Sequence, residues 1–137
     1  MSITEPKEKK GQVRRIILVV EDDEALREAA REKLASRGLE VWTATSGEEA
    51  LQLLEQRQPH LVWLDILMPG IDGLTTLQRI REKAELKHLP VVIVSVSGGQ
   101  EKIRRALDLG ALEYLTKSDY SIDDLATKME ALLHEYS

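Results

Sequence analysis

The sequence predicts an α/β domain: five βα units wound into a doubly wound parallel sheet with helices on both faces. Two observations predict it. Short apolar runs rich in β-branched residues alternate strictly with amphipathic stretches, and such alternation buries best as a parallel sheet joined by right-handed crossovers. The chain has 137 residues, which suits a single domain with one sizeable core.

The elements follow in order. Residues 1–14 are polar and Lys-rich and read as a disordered lead-in, so the domain is expected over 15–137. Arg15 to Val20 is a first buried strand that stops abruptly at Glu21-Asp22-Asp23-Glu24. Leu26, Ala29, Ala30, Lys33 and Leu34 stand at helical spacing, and Gly38 is a helix stop. Glu40 to Thr45 is a second strand. Ser46-Gly47-Glu48-Glu49 looks like a capping box opening a helix through Gln56. Leu61 to Leu64 is an apolar run that delivers Asp65, and Pro69-Gly70 then turns the chain.

Leu74, Leu77 and Ile80 mark a third helix. Pro90 to Val94 is a fourth strand ending on Ser95, and Ser97-Gly98-Gly99 is a loop. Ile103, Ala106 and Leu107 form the stripe of a fourth helix, stopped by Gly110. Glu113 to Thr116 is a short fifth strand ending on Lys117. Ser121-Ile122-Asp123-Asp124 caps a last helix whose apolar face is Leu125, Met129, Leu132 and Leu133.

Composition narrows the function. There is no cysteine, so disulfides, thiolate metal sites and cysteine nucleophiles are excluded. A net charge of -5 argues against direct nucleic-acid binding by this domain. No apolar run approaches a membrane span, and no secretory leader is visible. A cytoplasmic protein is the expectation.

Four strands end on polar groups: Glu21 and Asp22, Asp65, Ser95, and Lys117. In a parallel sheet these ends share one edge, so the groups should converge. Three carboxylates against one ammonium leave a deficit of positive charge that a divalent cation fills. An oxygen-only donor set selects Mg²⁺ or Mn²⁺ over zinc. A cation, a lysine and a hydroxyl around a lone carboxylate make a phosphoryl-transfer site in which the carboxylate attacks phosphorus.

The motifs VVEDDE at 19–24, LDILMPGIDG at 64–73, PVVIVSVS at 90–97 and GALEYLTK at 110–117 resemble those of response regulator receiver domains. Four motifs in order at matching spacing are specific, and the resemblance covers roughly 15–134. It implies the flavodoxin-like strand order 2-1-3-4-5. It implies Asp65 as phosphoacceptor, and Mg²⁺ held by Asp22, Asp65 and the backbone carbonyl of Leu67 with Glu21 assisting. Ser95 is then the switch hydroxyl, Tyr114 the switch aromatic and Lys117 the phosphate-binding lysine. The implied partner is a histidine kinase or histidine phosphotransfer protein, with a homodimer through the fourth helix, fifth strand and fifth helix as a further possibility. Such a domain is not an enzyme in the ordinary sense, since it catalyses only its own phosphorylation and dephosphorylation. The chain departs from the family at Val96, which is usually small, at Ser118, which is usually proline, and at the apolar Leu67.

Each residue also has a plain structural reading. The acids at 21–24 could serve a helix dipole, Ser95 a strand end, Tyr114 a half-buried ring with a wet tip, and Lys117 solvent. Trp42, Trp63, Met68 and Met129 read as packing residues. His60, His88 and His134 receive no role, and Lys102, Arg104 and Arg105 read as a solvated face. Two other functions compete. A flavin or nucleotide carrier needs a Gly/Ser/Thr-rich cradle after the first strand, where this chain has four acids. A non-phosphorylated receiver-like docking or dimerisation module has no need to gather uncompensated carboxylates.

Overall fold

The computed structural model describes residues 14–96 and 98–136. Apart from Arg14, the expected lead-in lies outside the described residues, as does Ser97 of the predicted loop. Five strands run in parallel: β1 (Ile16–Val20), β2 (Glu40–Ala44), β3 (Leu61–Leu64), β4 (Val91–Ser95) and β5 (Glu113–Thr116). Their order is β2-β1-β3-β4-β5. The helices are α1 (Glu24–Ala35), α2 (Gly47–Gln56), α3 (Gly73–Glu82), α4 (Gln100–Asp108) and α5 (Ile122–Tyr136).

Alternation along the strands splits the core into two layers. Leu18, Val20, Val62, Leu64 and Ile93 face α2, α3 and α4. Ile17, Val19, Trp63, Val92 and Val94 face α1 and α5. Both faces of the three central strands are therefore apolar, as a doubly covered parallel sheet requires. Lys33 of α1 and Arg37, just past its end, pair with Asp123 and Glu130 of α5. Each helix returns antiparallel to the strands. Both described ends, Arg14 and Tyr136, consequently emerge at the amino edge of the sheet.

Several local readings shift. β1 begins at Ile16 rather than Arg15, β2 stops at Ala44 and β4 begins at Val91. Ser46 Oγ accepts from Glu49 N–H at 3.1 Å, but the Glu49 carboxylate receives Thr45 N–H at 2.5 Å, so the reciprocal half of the capping box moves back one residue. Ser121 and Asp124 form the full reciprocal pair, at 3.0 and 3.2 Å. Leu107, expected on the buried stripe of α4, is 48% exposed; Ala106 alone of that helix is fully buried. His60 does have a structural task, because its Nδ1 accepts the Ile16 N–H at 2.9 Å. All peptide bonds of the described residues are trans, the Lys117–Ser118 bond included. No helix among them is long and apolar enough to cross a membrane.

Candidate functional site

Strand pairing brings the polar ends together. Val20 lies opposite Leu64, and the ladder continues through Asp65 N–H to the Val20 carbonyl at 3.1 Å. Glu21 N–H likewise continues the β1–β2 pairing onto Ala44. Asp65 therefore stands beside Glu21. On the other side Ser95 lies opposite Thr116, one residue before Lys117. Glu21, Asp65 and Ser95 are all buried, whereas Asp22 is exposed.

The Lys117 amine bridges two carboxylates, 2.9 Å from Glu21 Oε1 and 3.3 Å from Asp65 Oδ2. The contact with Glu21 Oε1 is an ion pair lacking hydrogen-bond geometry, since that oxygen is buried with no hydrogen-bond partner among the described residues. Glu21 Oε2 accepts Asp23 N–H at 3.2 Å, and Asp65 Oδ1 accepts Leu67 N–H at 3.4 Å. Burial pushes the Glu21 carboxyl up to about 7; Lys117 opposes the rise and the Asp65 charge adds to it. Burial works against the Lys117 charge too, but Glu21 and Asp65 outweigh it and hold the amine above its ordinary value.

One carboxylate oxygen from each of Glu21, Asp22 and Asp65 falls within 4.8 Å of the others. Three acids gather here against one lysine, which pairs with only two of them, and a buried Glu21 oxygen is left without a hydrogen bond. Such a donor set fits a hard divalent cation that prefers carboxylate and water oxygens. Asp23, by contrast, takes the plain role: its Oδ1 accepts Ala25 and Leu26 N–H and caps α1.

Tyr114 of β5 is half-buried, and a side chain on Gly98 would come 3.2 Å from its Cε1. Leu67 and Val96, which follow the β3 and β4 ends, are 49% and 53% exposed.

Sequence reasoning missed three supports. The Arg27 guanidinium of α1 donates to the carbonyls of Glu21 and Asp22, at 2.9 and 3.3 Å, holding the acidic loop by its backbone. Gly73 opens α3 directly against the Asp65 peptide, so that any side chain there would overlap the Asp65 carbonyl oxygen. Glu48 of α2 accepts the Ile71 N–H at 3.2 Å. Only the position of Gly73 just past an Asp-capped turn offered a signal. The other two act across space.

Residues 17–130 match the family model of the response regulator receiver domain. The phosphate regulon transcriptional regulatory protein PhoB of Rhizobium meliloti (strain 1021) is 36% identical over 117 residues, covering 85% of this chain and 51% of that protein. The chain spans about half the length of the curated relatives it matches. A CheY-like receiver domain from Methanospirillum hungatei JF-1 superposes with a TM-score of 0.83 at 26% identity, covering 90% of this chain and 97% of that one. The phosphorylated cyanobacterial phytochrome response regulator RcpA gives 0.78 at 30% identity, with 90% and 94% covered.

Proposed function

Because the chain belongs to the response regulator receiver domain family, we propose that it is a phosphorylation-operated switch of a two-component system with Asp65 as phosphoacceptor. The observation that carries this reading is the buried Asp65 carboxylate, 3.3 Å from the Lys117 amine and within 4.8 Å of Glu21 and Asp22 oxygens.

An Asp65 oxygen attacks phosphorus of a phosphohistidine on a kinase or phosphotransfer protein. The new O–P bond forms as the P–N bond breaks, and the departing imidazole takes up a proton. Lys117 is already aimed at Asp65 and neutralises one phosphoryl oxygen. Mg²⁺ or Mn²⁺, held by Asp22, Asp65 and the Leu67 carbonyl with Glu21 assisting, would supply the positive charge that the phosphoryl oxygens need. Ser95 then donates to the phosphoryl group and Tyr114 follows. The changed surface is that of α4, β5 and α5, where a homodimer or a target would read it. The domain turns over no free metabolite. We place it in the cytoplasm. The proposal that it makes no direct nucleic-acid contact is confined to these residues, since its relatives include transcriptional regulatory proteins about twice as long.

The test is mass spectrometry after incubation with acetyl phosphate and Mg²⁺. One phosphoryl group should appear on the wild type and none on Asp65→Asn. Retention of the label in the variant would sink the assignment. The exposed Leu67 and Val96 side chains leave little polar surface for an attacking water. Phosphate release from the purified phosphoprotein is accordingly expected over minutes or longer, and complete loss within seconds would contradict it.

A further inference from the structure

The turn after Asp65 is held by a side chain from outside the converging strand ends. Glu48, in the first turn of α2, accepts the Ile71 N–H across 23 residues of sequence. Gly70, at φ +78°, lies under the same carboxylate, and a Cβ there would stand 2.6 Å from Glu48 Oε2 and 2.9 Å from Oε1. The preceding Gly47 lets α2 press onto this segment, because a side chain on it would overlap Thr76 Oγ1 and approach Ile71 Cγ1 to 2.9 Å. Thr76 is itself buried and its hydroxyl donates to the Asp72 carbonyl at 2.8 Å. At the other end Gly73 N–H donates to the Ile66 carbonyl at 2.8 Å. Leu67 to Gly70 is thus a short excursion fastened on both sides.

We propose that Glu48 is a positioning residue for the divalent cation. It fixes the turn that carries Leu67 and so sets the affinity of the site without being one of its ligands. This rests on the reading of Asp65 as the centre of a Mg²⁺-dependent phosphoacceptor site. A backbone carbonyl ligand cannot be tuned by its own side chain, only by where its turn is held. Among the described residues the Glu48 hydrogen bond is the polar contact from α2 that does so, beside the packing of Gly47 on Ile71. Glu48 is not needed to cap α2, a task already met by Ser46 and Glu49.

The experiment compares wild type, Glu48→Ala and Glu48→Gln by Mg²⁺ titration followed through tryptophan emission, Trp63 lying two residues before Asp65. Acetyl phosphate labelling is measured in parallel as a function of Mg²⁺. Glu48 is exposed, so alanine is expected to leave the fold intact. Outer partners of metal ligands commonly change affinity by about 10- to 100-fold; for this exposed one the alanine variant is expected to raise the Mg²⁺ dissociation constant roughly three- to ten-fold. Half-saturating Mg²⁺ for labelling should move by the same factor, with the maximal rate nearly unchanged. Glutamine, whose side-chain oxygen can accept the same amide, should restore wild-type affinity. An unchanged dissociation constant in Glu48→Ala overturns the proposal. So does a glutamine variant as weak as alanine, which would assign the effect to charge rather than to the hydrogen bond. If the wild type binds no Mg²⁺ at all, the reading of the Asp65 site falls, and this proposal with it.

Discussion

The two loops bordering Asp65 are held in opposite ways. The β3–α3 loop is fastened at each step: Gly73 against the Asp65 peptide, Glu48 on Ile71, and Asp72 capping α3 through Thr75 N–H at 2.8 Å. The β4–α4 loop is built differently: Gly98 lies against Ile103 and Tyr114, where a Cβ would come 3.2 Å from each. Gly99 leads into α4 without a side-chain cap, a Cβ on it would meet nothing within 4 Å, and Val96 is half exposed. α4 is secured instead at its far end. There the half-buried Arg81 donates to the carbonyls of Leu86, Leu89, Leu109 and Gly110. The β3–α3 half of the rim is held close to Asp65 itself, and the β4–α4 half is held at the end of α4 far from Asp65.

The largest expected effect breaks the comparison directly. Gly73→Ala forces a methyl into the Asp65 carbonyl, so α3 must shift; overpacking of this kind costs about 1–3 kcal/mol or more. Gly99→Ala, with open space around it, should cost under about 1 kcal/mol, within the range of cap substitutions. Urea melts of the two variants side by side decide it, and equal destabilisation would erase the distinction between the loops.

Next is Arg81→Ala. It leaves carbonyls from two chain segments without their donor, a loss of about 1–3 kcal/mol. Hydrogen exchange should quicken first at the Leu109–Gly110 end of α4. Quickening confined to the Gln100 end would place the anchor elsewhere.

The smallest signal is a difference between two slopes. The Glu21 pKa is raised by folding, from 4.5 to about 7. The ion-free domain therefore holds its full share of stability below pH 4.5 and loses it as pH rises toward 7. Protons compete with a cation for that carboxylate, so stabilisation by added Mg²⁺ should grow over the same interval. Melting temperatures measured from pH 5 to 8 with and without Mg²⁺ would show the curves diverging; parallel curves would remove Glu21 from the ion's surroundings.

Legibility in the sequence followed the range of the interaction. Strand ends such as Asp65 and Lys117 could be placed because parallel pairing aligns them wherever they stand in the chain. The polar groups at those ends were readable for the same reason. Glu48, Arg27 and Arg81 were not, because each acts on backbone groups of another segment or of a loop whose path the periodicity does not specify. A hydrogen bond from Glu48 to Ile71 leaves no pattern in either stretch. Leu107 misled for a related reason. Its spacing fits the stripe of α4, but that helix is short and buries only its Ala106 side fully.

Both described ends of the domain sit at the pole of the sheet away from Asp65. A dye or a surface linker joined beside Arg14 or Tyr136 would leave the approach to Asp65 clear for a bulky donor protein. On the proposed function, domain immobilised there should accept phosphate as readily as free domain, which makes these positions safe handles for single-molecule work.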